Sequence, residues 1–245
     1  MNDKPLVRFD VADGIGVVTI DNPPVNALGP GVRDGIVEAL EKGEADPAVK
    51  AMVMIGAGRS FIAGADIRQF GKPRPMPTRS PYDVMDGGSK PVVAAIHGYA
   101  LGGGLEHALA CHYRIAVPSA KVGLPEVLIG ILPGGGGTQR LPRLIGPKAA
   151  MEMIVSGRHV PAAEAKQLGI IDEIVEGKDL RAEAIAYARQ HRRQAAVAAR
   201  ARQDRQAGGG RRPIRACSMP CASRLRARPA TRRRPTTASP ASRRR

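Results

Sequence analysis

The chain has 245 residues, 43% hydrophobic but only 3% aromatic and without Trp, which permits a large core of Val, Ile, Leu, Ala and Met and favours an α/β interior over an aromatic-rich sandwich. Its formal charge of +16 would ordinarily point to nucleic acid or an anionic membrane, yet the excess is confined: residues 192–245 hold 17 Arg and one acid, Asp204, against 21 basic and 21 acidic residues before them. A neutral body points away from specific nucleic acid and membrane as its partners, and the odd set Cys111, Cys217 and Cys221, without metal-ligand spacing, predicts neither disulfide nor metal.

Alternation over residues 6–11 and 16–20, joined by Asp13-Gly14, predicts a β-hairpin. Asp21-Asn22-Pro23-Pro24 ends it, and apolar residues at Val32, Ile36, Val37 and Leu40 predict an amphipathic helix over 30–44. Short runs rich in β-branched residues at 51–55, 91–96 and 113–117 predict strands buried on both faces, as in a parallel sheet with helical crossovers. Between the last two, residues 101–111 run from a glycine triplet into a short apolar helix. Residues 71–89, rich in Pro and Gly, read as an irregular lid. Beyond Val117 the pattern turns helical at 137–144, 147–156 and 161–168, followed by a strand at 170–175 and a helix at 179–190. No uncharged apolar run reaches the roughly 18 residues of a membrane span, and the amino terminus lacks a secretory pattern, so the expected compartment is the cytoplasm.

The glycine-rich stretches invite a phosphate-loop reading that does not fit. Residues 133–139 lack the Lys-Ser/Thr ending of a P-loop, and Gly102-Gly103-Gly104 does not match the spaced dinucleotide fingerprint. A glycine triplet opening a helix does expose backbone N–H groups and the positive dipole end to an incoming oxygen, which outlines an oxyanion hole. Residues 61–67 offer a second such segment. Taken singly, Glu106 and Glu126 read as helix-dipole compensation, and His97, His107 and His112 as packing or surface residues.

The segments together resemble the crotonase (enoyl-CoA hydratase/isomerase) family. The likeness rests on Asn22-Pro23-Pro24-Val25-Asn26-Ala27, Ala63-Gly64-Ala65-Asp66-Ile67, His97-Gly98 leading to Gly102-Gly103-Gly104-Leu105-Glu106, and Gly123-Leu124-Pro125-Glu126. Gly130-Ile131-Leu132-Pro133 and Gly137-Thr138-Gln139-Arg140 extend it. The wording around Cys111 to Ala116 and Leu124 to Val127 is most similar to the hydratase half of bifunctional fatty-acid oxidation enzymes. The resemblance implies a crotonase-type ββα superhelix with a C-terminal helical region, occupying residues 1–191. It implies an acyl-CoA thioester substrate and a homotrimer, with no cofactor beyond the coenzyme A carried by the substrate. Glu106 and Glu126 match the catalytic carboxylates, and the backbone N–H groups of Ala65 and Gly103 the oxyanion hole. Ala63, Gly64, Asp66, Ile67, Arg68, Gly102, Gly104 and Pro133 fall where relatives hold substrate and its coenzyme A portion.

The implied reaction is reversible syn addition of water to trans-2-enoyl-CoA, giving 3-hydroxyacyl-CoA in fatty-acid β-oxidation. Δ3,Δ2-enoyl-CoA isomerisation, with Glu126 alone shuttling the proton, is the nearest enzymatic alternative. His107 stands where the hydratase pattern has an apolar residue, so burial there would bear on the neighbouring carboxylate. The four-glycine run through Gly135-Gly136 replaces a bulkier residue and should loosen its loop. Residues 192–245 read as a disordered basic tail, with the composition that a GC-rich gene gives when read out of frame. A third alternative follows from it: an inactive, truncated relic whose tail binds nucleic acid non-specifically.

Overall fold

The computed structural model describes residues 4–69, 71 and 79–192. The 192–245 tail, from its second residue on, lies outside the described residues, as do 70 and 72–78 of the expected lid.

The predicted hairpin forms as β1 (Val7–Ala12) and β2 (Ile15–Ile20), antiparallel, with Asp13 and Gly14 turning at positive φ. Parallel strands then follow: β3 (Ala51–Gly56), β4 (Val92–Ile96), β6 (Tyr113–Ala116) and β9 (Glu173–Ile174), in the sheet order β1-β2-β3-β4-β6-β9. Every residue of β2, β3 and β4 is buried, as expected of apolar strands covered on both faces. On one face, Val18, Ile20, Met52 and Met54 pack with Val32, Ile36 and Leu40 of helix α1 (Pro30–Ala45) and Leu105 and Ala108 of α3 (Gly103–Ala110). On the other, Ile15, Val17, Val53 and Ile115 meet Ala184, Tyr187 and Ala188, one stripe of the helix at 180–192.

Three expectations need correction. Residues 71–89 are not irregular throughout, because α2 (Pro81–Gly87) forms there: Ser80 caps it by accepting from the Tyr82 amide, Pro81 occupies its first turn, and Val84 and Met85 are buried. The stretch after Val117 is not purely helical either. There β7 (Lys121–Gly123) pairs in parallel with β5 (Tyr99–Leu101) and antiparallel with β8 (Val160–Pro161), making a second, three-stranded sheet. The strand expected over 170–175 shortens to β9. The helices α4 (Gly137–Ile145), α5 (Pro147–Ser156) and α6 (Ala162–Gln167) stand close to where periodicity put them.

Arg114, 5% exposed, ties these layers together. Its guanidinium donates to the carbonyls of Ala108 and Cys111 at the end of α3 and to Ile170, and pairs with Asp172 at 3.2 Å. A cation at the carbonyl end of a helix satisfies groups the helix itself leaves open.

Candidate active site

Two backbone segments are laid side by side before any side chain enters. Residues 62–65 run parallel to 100–103: Ile62 bridges Ala100, and the Leu101 amide donates to the Ile62 carbonyl at 3.1 Å. Ala65 follows on the first segment and Gly103, which opens α3, on the second. Leu28 lies beside both, bridging Ala65 and placing its Cδ1 2.9 Å from where a Cβ on Gly103 would stand. Among the described residues, neither the Ala65 nor the Gly103 N–H has a hydrogen-bond acceptor. Both residues are half-buried.

The loop leading to Ala65 is pinned by Asn26, 2% exposed. Its Nδ2 donates to the carbonyls of Ala57 and Ser60 at 2.8 and 2.7 Å, and its Oδ1 accepts from the Asn22 amide. The Asn22 to Ala27 motif thus has a structural role that its sequence did not disclose. The Ala63 amide is likewise spent on the Val25 carbonyl.

At the second segment, Gly102 adopts φ +52, which a side chain rarely tolerates, and the space where a Cβ would project lies 3.1 Å from Glu126 Oε1. The triplet turn therefore sits directly against one carboxylate. Glu126, 8% exposed, is carried on a 3-10 turn, Pro125–Ile129, and its Oε2 has no hydrogen-bond partner among the described residues. Burial pushes its carboxyl up from 4.5 to about 6, and the Glu106 charge adds to the push. Glu106, 3% exposed in the first turns of α3, uses Oε1 to accept from the amides of Gly135 at 2.7 Å and Gly137 at 2.8 Å. Among the described residues, its Oε2 carries no such bond. The structure thus brings Glu106, Glu126, Gly102 and Gly103 together, with Ala65 alongside.

The remaining expected residues divide. Gly64 is buried, and its carbonyl accepts from Leu28. Gly104 packs against the Ile62 carbonyl, a close approach with no room for a side chain, so it serves the contact between segments. Pro133 is buried, close to Gly137. Asp66 is held well below the usual carboxylate range by the Arg68 guanidinium, which reaches it at 2.9 Å, while Arg68 and Ile67 face solvent at the rim.

Sequence reasoning missed the groups that position Glu106. Gly135 was expected to loosen its loop; instead a Cβ there would collide with Tyr82 Oη and meet Glu106 Oε2 at 2.6 Å, so glycine is what lets the loop approach. Tyr82, on α2, was not singled out at all. The expectation for His107 also changes. It is buried, and its burial lowers its pKa to about 4, leaving the ring neutral; its Nδ1 lies 2.7 Å from the Gly103 carbonyl and 3.1 Å from Tyr82 Oη, rather than on Glu106. A separate surface cavity of about 440 Å³, lined by Ile55, His97, Val117, Glu176 and Leu180, lies away from these groups and holds a single carboxylate.

Fold and site together define a mixed α/β protein with a buried carboxylate pair beside two open backbone amides. The sequence model described as enoyl-CoA hydratase/isomerase matches residues 10–207, and the chain belongs to that family. It is 53% identical over 173 residues to a peroxisomal bifunctional enzyme of Danio rerio, covering 70% of this chain and 24% of that one. Against a peroxisomal fatty acid beta-oxidation multifunctional protein of Oryza sativa it is 46% identical over 178 residues, covering 69% and 24%. The chain thus spans about a quarter of the length of these curated relatives. Among solved structures, an enoyl-CoA hydratase of Mycobacterium tuberculosis aligns with a TM-score of 0.76 at 31% identity, covering 83% of this chain and 84% of that one. No helix among the described residues is long and apolar enough to cross a membrane.

Proposed function

We propose that this chain is a 2-enoyl-CoA hydratase, a lyase adding water across the double bond of an acyl-CoA thioester in fatty-acid β-oxidation. The observation that carries the reading is that Glu106 and Glu126 are both buried beside amides that have no acceptor among the described residues. The thioester oxygen would accept from the Ala65 and Gly103 N–H groups, stabilising the enolate-like charge that develops as water attacks the β-carbon. Loss of one such donor typically costs about 2.7–4 kcal/mol of transition-state stabilisation.

Glu106, with Oε1 anchored by two amides, keeps Oε2 to take a proton from water. Glu126, with its carboxyl raised to about 6, is suited to carry the proton delivered to the α-carbon. Asp66 and Arg68 at the rim are where the coenzyme A portion would lie; no further cofactor is required by this chemistry. A homotrimer belongs to the same proposal, supported by apolar side chains left exposed at Leu128, Ile129, Leu132, Met151 and Val155. The cytoplasmic address read from the amino terminus competes with the peroxisomal names of the relatives, which favour an organelle.

Purified chain supplied with crotonyl-CoA should bleach the conjugated enoyl-thioester absorbance. No bleaching, together with conversion of a 3-enoyl-CoA, would replace this reading with isomerisation by Glu126.

A further inference from the structure

The hydroxyl of Tyr82 stands at the carboxylate site, and its bonding follows from one tautomer. The Gly103 carbonyl can only accept, and it lies 2.7 Å from His107 Nδ1, so that nitrogen must carry the ring proton. Nε2 is then the bare nitrogen, consistent with its being buried without a partner among the described residues. Tyr82 Oη is 3.1 Å from the same Nδ1. A protonated Nδ1 offers no lone pair, so Tyr82 can only accept there, and its own proton is left to be donated elsewhere.

The direction open to that proton is set by Gly135. A Cβ on Gly135 would run into both Tyr82 Oη and Glu106 Oε2, so the two oxygens converge on one side of Gly135, packed so closely that only glycine fits beside them. Glu106 Oε1 is already occupied by the Gly135 and Gly137 amides. Tyr82 is itself held firmly: the Arg140 guanidinium lies 5.6 Å from its ring centroid, donates to the Gly135 carbonyl at 3.1 Å and pairs with Asp86 of α2 at 2.5 Å.

We propose that Tyr82 is a third side chain on the reacting water, donating its hydroxyl proton to the water oxygen while Glu106 Oε2 accepts a water proton. This rests on the hydratase reading of the site. Tyr82 keeps its proton throughout. As the water oxygen bonds to the β-carbon, the water proton passes to Glu106, and the α-carbon receives its proton from Glu126. A phenol suits the task because burial, and then the Glu106 charge, push its pKa up, so it stays a donor across the working range. The hydrogen bond from Tyr82 turns a water lone pair toward the substrate, a gain in orientation rather than in substrate binding.

The test compares wild type with Tyr82→Phe, which removes one oxygen and keeps the ring against Arg140 and His107. Two readouts are taken: crotonyl-CoA kinetics, and the crystal structure of each protein at a resolution that shows ordered water. The expected result is a kcat lower by about 10- to 100-fold with KM little changed, and a water bridging Tyr82 Oη and Glu106 Oε2 in wild type that is lost in the variant. Unchanged kcat, or no water bridging that pair, overturns the proposal. Should wild type itself fail on every enoyl-CoA, the hydratase reading falls by that result alone, and the bridging water still decides for or against the Tyr82 geometry.

Discussion

Glu126→Gln separates what this carboxylate contributes to chemistry from what it costs the fold. In the folded chain its carboxyl is raised from 4.5 to about 6, chiefly by burial, so the folded state holds that proton more tightly than the unfolded one. Below pH 4.5 both states are protonated and nothing is lost. As pH rises to about 6 the unfolded state releases its proton first and stability falls; above that the full penalty applies. A shift of about 1.5 units corresponds to about 2 kcal/mol, an upper figure because Glu126 keeps some exposure to solvent. Glutamine keeps the shape and cannot ionise. Urea unfolding at pH 8 should therefore show the variant more stable by about 1–2 kcal/mol, with most of the gap closing at pH 5, while hydration falls by about 10²- to 10⁴-fold. A variant less stable than wild type at pH 8, or an unfolding difference independent of pH, would refute the burial argument.

Glu106→Gln should lower kcat by a similar factor, about 10²–10⁴, read by the same bleaching assay, because Oε2 would lose its capacity to take a proton. Gly135→Ala forces a methyl group into Tyr82 and Glu106 and should cost about 1–3 kcal/mol of stability together with most of the activity, as measured by thermal unfolding and turnover on one preparation. Phe61, fully buried where its amide joins the His97 carbonyl, should cost about 3–5 kcal/mol when cut to Ala, seen in denaturant midpoint.

Much of this fold was written in runs that a single physical rule decodes. The continuous apolar stretches at β3 and β4 mark strands covered on both faces, and Val32, Ile36 and Leu40 repeat with the pitch of a helix. The second sheet was not legible, because β8 has two residues and β5 and β7 three each, too few to show an alternation. Helix α2 was hidden by its Pro and Gly neighbours, although Ser80-Pro81 is a helix-start signal. At the site, the pairing of Glu106 with Glu126 came only through resemblance, since nothing local relates residues twenty positions apart. The anchors of Glu106 are backbone amides of Gly135 and Gly137, and an amide leaves no mark in a sequence. His107, read as a packing or surface residue that would bear on the neighbouring carboxylate if buried, is buried, and the turn of α3 points its Nδ1 back at the carbonyl four residues earlier.

Mass analysis of the product formed from crotonyl-CoA in heavy-oxygen water addresses the chemistry at its source. A 3-hydroxyacyl-CoA carrying one solvent oxygen, formed by wild type and lost in Glu106→Gln, is the predicted result. Unlabelled, double-bond-shifted product, or labelling that persists undiminished without the Glu106 carboxylate, would contradict it.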